Sequence, residues 1–262
     1  MTAAISAIIT STGINLALKS FKPLYNSIKK GYSFSIHNSK LIHSLHNIGT
    51  VKTLFFGANH PVELNDFFIN PNIQLEYGNK KTIQKIKSLN DLYQNNDASQ
   101  PNILITGTVG QGKSILMRYL ALQELSYGKI PLFIEFKYIN GKNTLEKLID
   151  EVFQNWLEQA SKENIKSLLN SGNITLFLDA FDELPAEHLT VTMQAIDMYC
   201  RDFPNLQIVI SSRPDHNISQ HAQFKSISLL PYGLDEQNAL LDKLVSDQES
   251  RQLLHQQIEA SD

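Results

Sequence analysis

"NILITGTVGQGKSILMRYLALQEL", residues 102–125, decides the fold. An apolar run of strand length leads into G-x-x-x-x-G-K-S at Gly107–Ser114, and residues of helical periodicity follow. That is the context of a phosphate-binding loop. Gly107, Gly110 and Gly112 let the backbone bend tightly and bring its N–H groups against phosphate oxygens, while the helix N-terminus adds partial positive charge. The whole loop, Gly107, Thr108, Val109, Gly110, Gln111, Gly112, Lys113 and Ser114, is therefore a candidate nucleotide-binding site. Lys113 is expected to reach the β- and γ-phosphates, and the Ser114 hydroxyl to ligate Mg²⁺. A chance glycine turn is the competing reading; the flanking strand and helix weigh against it.

Downstream, "IPLFIEF" (130–136), "ITLFLD" (174–179), "LQIVIS" (206–211) and "FKSISLL" (224–230) are too short for ordinary helices and rich in Ile, Leu, Val and Phe. Helical stretches at about 113–126, 144–158, 162–170 and 187–200 separate them. The alternation predicts an α/β fold with a parallel sheet covered on both faces. In such a sheet the carboxyl end of "ITLFLD" lies on the rim that carries the phosphate loop. Asp179 is placed there to face the Mg²⁺ held by Ser114. Glu183 is the candidate for orienting or deprotonating a water, and Asp182 for metal-shell or hydrogen-bond support; the two roles can be exchanged. The alternative is an acidic helix cap, since "DELPAEHLTV" precedes a helix. The next strand ends in "SSRP" (211–214), where Arg213 either senses the γ-phosphate or pairs with one of these carboxylates.

"GTVGQGKS", "LFLDAFDELP" and "VISSRP", in that order, resemble the NACHT branch of the STAND NTPases, relatives of AAA+ ATPases. The middle element carries most of the likeness: an apolar run, Asp179, a small residue (Ala180), an apolar one (Phe181), then Asp182-Glu183. "DFFINPNI" (66–73) is similar to the lead-in of bacterial members. The resemblance implies a P-loop NTPase sheet ordered 5-1-4-3-2, with the Arg213 strand between the loop strand and the Asp179 strand. It implies binding and slow, Mg²⁺-dependent hydrolysis of ATP, an ADP-bound off state and an ATP-bound self-associated on state, with a protein trigger and a role in defence against phage. A winged-helix domain and sensor repeats usually follow; after residue 232 the sequence reads only into the first helices beyond the core.

The remaining features bound these expectations. Residues 1–95 read as a mostly helical region with "KKTIQKIKSLNDLY" (80–93) as one helical patch; "YQNNDASQP" (93–101) reads as linker, 96–232 as the NTPase core, and 233–262 as the start of a helical domain. With 42% hydrophobic and 19% charged residues the chain of 262 should fold, and its net charge of -3 gives no field that would recruit nucleic acid. Lysines 19, 22, 29, 30, 80, 81, 85 and 87 read as solvated helix faces. A single cysteine, Cys200, fits a reducing cytosol and reads as a buried thiol. His37, His43, His46 and His60 have no ligand spacing that suggests zinc. The uncharged start, residues 1–18, lacks a basic leader and is diluted by polar residues. It reads as an amphipathic packing helix, with membrane contact the minor alternative. Two other functions compete with the switch: a remodelling ATPase of AAA+ type with fast turnover, and an interaction module that holds ADP without hydrolysing it.

Overall fold

The computed structural model describes residues 35–36, 38–52, 61–77, 80–92, 102–158, 161–245 and 247–259. The N-terminal run 1–18, the linker 93–101, His37, His60 and lysines 19, 22, 29 and 30 lie outside the described residues. In chain order the elements are β1 (Ser35–Ile36), α1 (Asn38–Gly49), β2 (Thr50–Lys52), β3 (Pro61–Glu63), α2 (Leu64–Phe67), β4 (Asn72–Tyr77) and β5 (Lys80–Lys85). Then come β6 (Asn102–Thr106), α3 (Lys113–Ser126), β7 (Ile130–Glu135), α4 (Leu145–Trp156), β8 (Leu157–Glu158), α5 (Lys162–Leu169) and β9 (Ile174–Asp179). The last are α6 (Leu189–Asp202), β10 (Gln207–Ser212), β11 (Phe224–Leu229), α7 (Leu234–Leu244) and α8 (Gln248–Glu259).

Seven strands form one sheet in the order β5-β4-β11-β6-β10-β9-β7. Its five parallel strands, counted along the chain from β6, run 5-1-4-3-2, so β10 lies between β6 and β9. Every residue of β9 and β10 is buried. Because side chains alternate between faces, that pattern requires cover on both. Helix α3 is buried almost all round, through Leu116, Met117, Leu120, Ala121, Leu122 and Leu125, as befits a helix packed into the middle of a fold. Helix α4 buries one stripe, Leu145, Ile149, Phe153 and Trp156, and the Thr144 side chain caps it by accepting from the Lys147 N–H. Each such large side chain withdrawn from water contributes about 1.5–3 kcal/mol.

One sequence expectation is corrected. Residues 80–85 are not helical: β5 pairs antiparallel with β4, and β4 with β11, so both extend the core sheet. Only a short 3-10 turn, Leu89–Leu92, follows. Strand β4 supplies a ladder of backbone partners that local propensity does not foresee, and tertiary pairing outweighs a weak helical preference. Lys80, Lys81 and Lys85 therefore stand on an edge strand, where charge discourages pairing with another chain, rather than on a helix face. Lys81 meets Glu76 at 3.1 Å and Lys85 meets Glu236 at 3.0 Å. The described part of the segment before residue 96 thus holds strands as well as helices.

Candidate nucleotide site

The phosphate loop leaves β6 at Gly107, whose N–H donates to the Ser212 carbonyl of β10 at 3.3 Å. Gly110 (φ 79°) and Gly112 (φ 85°) occupy the left-handed region that other residues enter at a cost, and Gly112 stands directly before α3. A Cβ at either glycine would meet nothing within 4 Å, so the space in front of the loop is open. Lys113 bends back across it, its Nζ donating to the Gly107 and Thr108 carbonyls at 2.8 and 2.9 Å. The Gln111 side chain also folds over the loop, accepting from the Thr108 N–H.

At the end of β9, Asp179 is 3% exposed, and Ser211 of β10 donates to its Oδ1 at 2.5 Å. The Ser114 hydroxyl also lies near enough to favour the charged form of this carboxylate. Burial pushes the Asp179 carboxyl up from its ordinary value, and these two hydroxyls pull the other way. Ala180 then takes φ 61°, and among the described residues it is the one non-glycine with positive φ. Its N–H is held by Ser211 Oγ at 2.8 Å. This sharp bend starts the 3-10 turn Phe181–Glu183, anchored by the buried Phe181 ring edge-on to Phe136 with centroids 5.2 Å apart. The turn lifts Asp182 and Glu183 over the rim. Asp182 is nearly buried and receives Arg213 Nε on Oδ2 at 2.7 Å, while its Oδ1 has no partner. Glu183 is exposed. A cleft of about 300 Å³ brings together Gly110, Lys113, Ser114, Asp182, Glu183 and Arg213.

A second, larger cavity of about 900 Å³ opens on the other side of the loop, which it shares through Gly110 and Gly112. Its walls are mostly apolar: Phe67, Phe68 and Pro71 before β4, Ile115 and Leu116 of α3, and Tyr232, Leu240 and Leu244 after β11. The two outer walls are tied together. Tyr232 donates to the Ile69 carbonyl at 2.7 Å, and Lys243 Nζ donates to the Asn65 and Phe68 carbonyls at 3.2 and 2.9 Å.

Residues 102–258, more than half of the chain, match the NACHT domain. The chain belongs to the NACHT family. It is a nucleotide-binding P-loop NTPase in fold and class. No curated protein matches it. Among solved structures it is similar to C. elegans PCH-2 (19% identity, TM-score 0.35, covering 53% of this chain and 38% of that one). It is also similar to the replication initiator DnaA bound to AMPPCP and single-stranded DNA (13%, 0.39, 66% and 57%). A third likeness is to Drosophila ORC bound to DNA (16%, 0.37, 60% and 44%). The chain spans between 38% and 57% of the length of these structures.

Within the NACHT core the candidate residues converge: the loop 107–114, Asp179, Asp182, Glu183 and Arg213 share one rim. Sequence reasoning did not find the large cavity, nor Glu135, which sits level with Asp179 at the end of β7. Its carboxylate pairs with Arg118 of α3 at 2.9 Å and with Lys137. Spacing gave no sign of these, because each comes from a different element; the lead-in "DFFINPNI" proves to supply Phe67, Phe68 and Pro71 to one cavity wall. The donor set suits Mg²⁺, which takes oxygen ligands and keeps several waters. Ser114 and Asp179 present oxygens near one another at the foot of the loop, and the open loop leaves room for phosphates. Among the described residues no three His, Cys, Asp or Glu side chains cluster as a metal site of their own. No helix there is long and apolar enough to cross a membrane.

Proposed function

We propose that this NACHT core binds Mg·ATP with its triphosphate along residues 107–114 and its base and ribose in the 900 Å³ cavity, and hydrolyses it slowly. The observation that carries the reading is the cleft of about 300 Å³ in which the phosphate loop, through Gly110, Lys113 and Ser114, faces Asp182, Glu183 and Arg213. Mg²⁺, when bound, supplies charge that neutralises the β- and γ-phosphate oxygens. Lys113, which now spends its donors on loop carbonyls, turns one to phosphate oxygen. Glu183, exposed beside the cleft, orients a water and takes its proton as the water oxygen bonds to the γ-phosphorus and the bond to the β–γ bridging oxygen breaks. Asp182 is the less apt of the two carboxylates for this, since Arg213 occupies one of its oxygens. It holds Arg213 at the rim, from which the half-exposed guanidinium reaches charge on the γ-phosphate.

Adenine as the base, ADP and ATP as off and on states, self-association in the ATP state, a protein trigger and a place in antiphage defence are the further reading that the family suggests. The chemistry is tested with two variants. Glu183→Gln should bind Mg·ATP as the wild type does while turnover falls roughly 10²-fold or more. Lys113→Ala should lose most Mg·ATP binding with its fold intact. Unchanged turnover in the first, or unchanged binding in the second, would remove the assignment concerned.

A further inference from the structure

Three parts of the molecule meet at one guanidinium. Arg118 stands on α3 one turn beyond Ser114, and its Nη1 donates to the Asn47 and Ile48 carbonyls at the end of α1, at 2.8 and 3.5 Å. Its Nη2 donates to Glu135 Oε1 at 2.9 Å, and its plane lies over the Phe133 ring, 5.0 Å from the centroid. At 18% and 21% exposure the Arg118–Glu135 pair is mostly withdrawn from water, where ion pairs hold their geometry better than on a surface. Glu135 is the register partner of Asp179, its second oxygen holds Lys137, and Lys137 lies within the field of Glu183. Helix α1 lies outside the part of the chain that matches the NACHT domain. It is docked on the core by Leu41, Leu45 and Ile48 and by the Trp156 Nε1–Ser44 Oγ hydrogen bond of 3.1 Å.

We propose that Arg118 and Glu135 are positioning residues of the nucleotide site, and that α1, docked through Arg118, sets where they stand. This rests on the cleft being an Mg·ATP site. The last carbonyls of a helix lack intrahelical donors and carry partial negative charge, so Arg118 Nη1 keeps its acceptors only while α1 is in place. Undocking leaves the guanidinium with Glu135 alone, and frees the Glu135–Lys137 pair to shift against Asp179 and Glu183. Arg118 and Glu135 line neither the cleft nor the cavity, so the grip on base and diphosphate is separate from this link. Coupling is reciprocal: if α1 helps set the metal and γ-phosphate end, filling that end protects α1.

The test uses the whole chain and a non-hydrolysable ATP analogue with Mg²⁺. In the wild type the analogue should slow amide hydrogen exchange across residues 38–49, and ADP without metal should not. Arg118→Met should abolish that response, weaken the analogue about fivefold and lower kcat roughly tenfold, with ADP affinity held within about twofold. Arg118→Lys keeps the charge but not the fork that spans both partners, and should behave like Arg118→Met. Leu45→Ala loosens α1 without touching the site; it should give the same split, with no added loss when combined with Arg118→Met. It also carries the test if Arg118→Met does not fold. Equal weakening of ADP and analogue, or exchange at 38–49 indifferent to the analogue, overturns the proposal while leaving the nucleotide site standing. A wild type that binds no nucleotide overturns both.

Discussion

Ala180 shows how one backbone angle arranges a site. Left-handed geometry costs a residue with a Cβ about 1–2 kcal/mol, and here that cost turns the chain so that Asp182 and Glu183 follow Asp179 onto one rim. The motif's small residue has its physical reason in this bend, and its apolar residue in the buried ring of Phe181 beneath the turn. Ala180→Gly should therefore be close to neutral, relief of strain being offset by about 0.4–1 kcal/mol of extra unfolded-chain entropy. Ala180→Val should lose about 2 kcal/mol or more in denaturant unfolding, since a β-branched side chain tolerates positive φ least. Equal stability of the two variants would contradict this explanation of the bend. Cys200 is a quieter case: burial pushes its thiol up to about 11, and Asn102 Nδ2 donates to its sulfur at 3.3 Å. The thiol is thus half-buried rather than buried as the sequence suggested, with little thiolate at neutral pH.

At the scale of elements, the junction of α3 with the sheet contains a buried acid. Glu124 is 2% exposed, accepts from Thr175 Oγ1 of β9 at 2.6 Å and lies 3.6 Å from Lys129 Nζ. Burial pushes its carboxyl above the ordinary 4.5, so the folded chain binds the proton more tightly than the unfolded one. Its contribution to stability is thus fully present below about 4.5 and is lost as pH rises through the raised value. Glu124→Gln keeps an acceptor for Thr175 and removes the titration. The difference in Tm, variant minus wild type, should grow in the variant's favour from pH 4.5 to pH 8; a flat difference would refute the linkage. Elements were also where sequence was most and least legible. The five parallel strands were readable because each is a short run rich in apolar residues between helical stretches; burial on both faces makes β9 and β10 continuous, while β11 is only half-buried. Strand β5 was not, because "KKTIQK" carries no core face of its own: its ladder comes from β4, and its exposed lysines suit a helix surface equally well.

The whole molecule decides what local patterns cannot. Loop and carboxylates were legible because each lies within one contiguous motif, and a parallel sheet brings the ends of its strands to one rim. The large cavity was not legible, since its walls come from residues 67–71, α3 and residues 231–244, and no spacing along the chain announces that meeting. The Arg118 junction is hidden for the same reason, joining α1, α3 and β7 across gaps of 17 and 71 positions. If the two cavities together hold a nucleotide, ligand binding must also stabilise the chain as a unit, by about 2.7 kcal/mol at a hundredfold excess over Kd.

The most direct measurement is of what the protein carries. The purified chain is denatured, the released nucleotide is identified and counted, and Mg·ATP binding is measured on the emptied, refolded protein, with Lys113→Ala alongside. The expected result is an adenine nucleotide in the wild type, or avid Mg·ATP binding if it is purified empty, and neither in the variant. A wild type that carries nothing and binds nothing, or a Lys113→Ala chain that holds nucleotide equally well, would contradict the assignment of residues 107–114 as a nucleotide site.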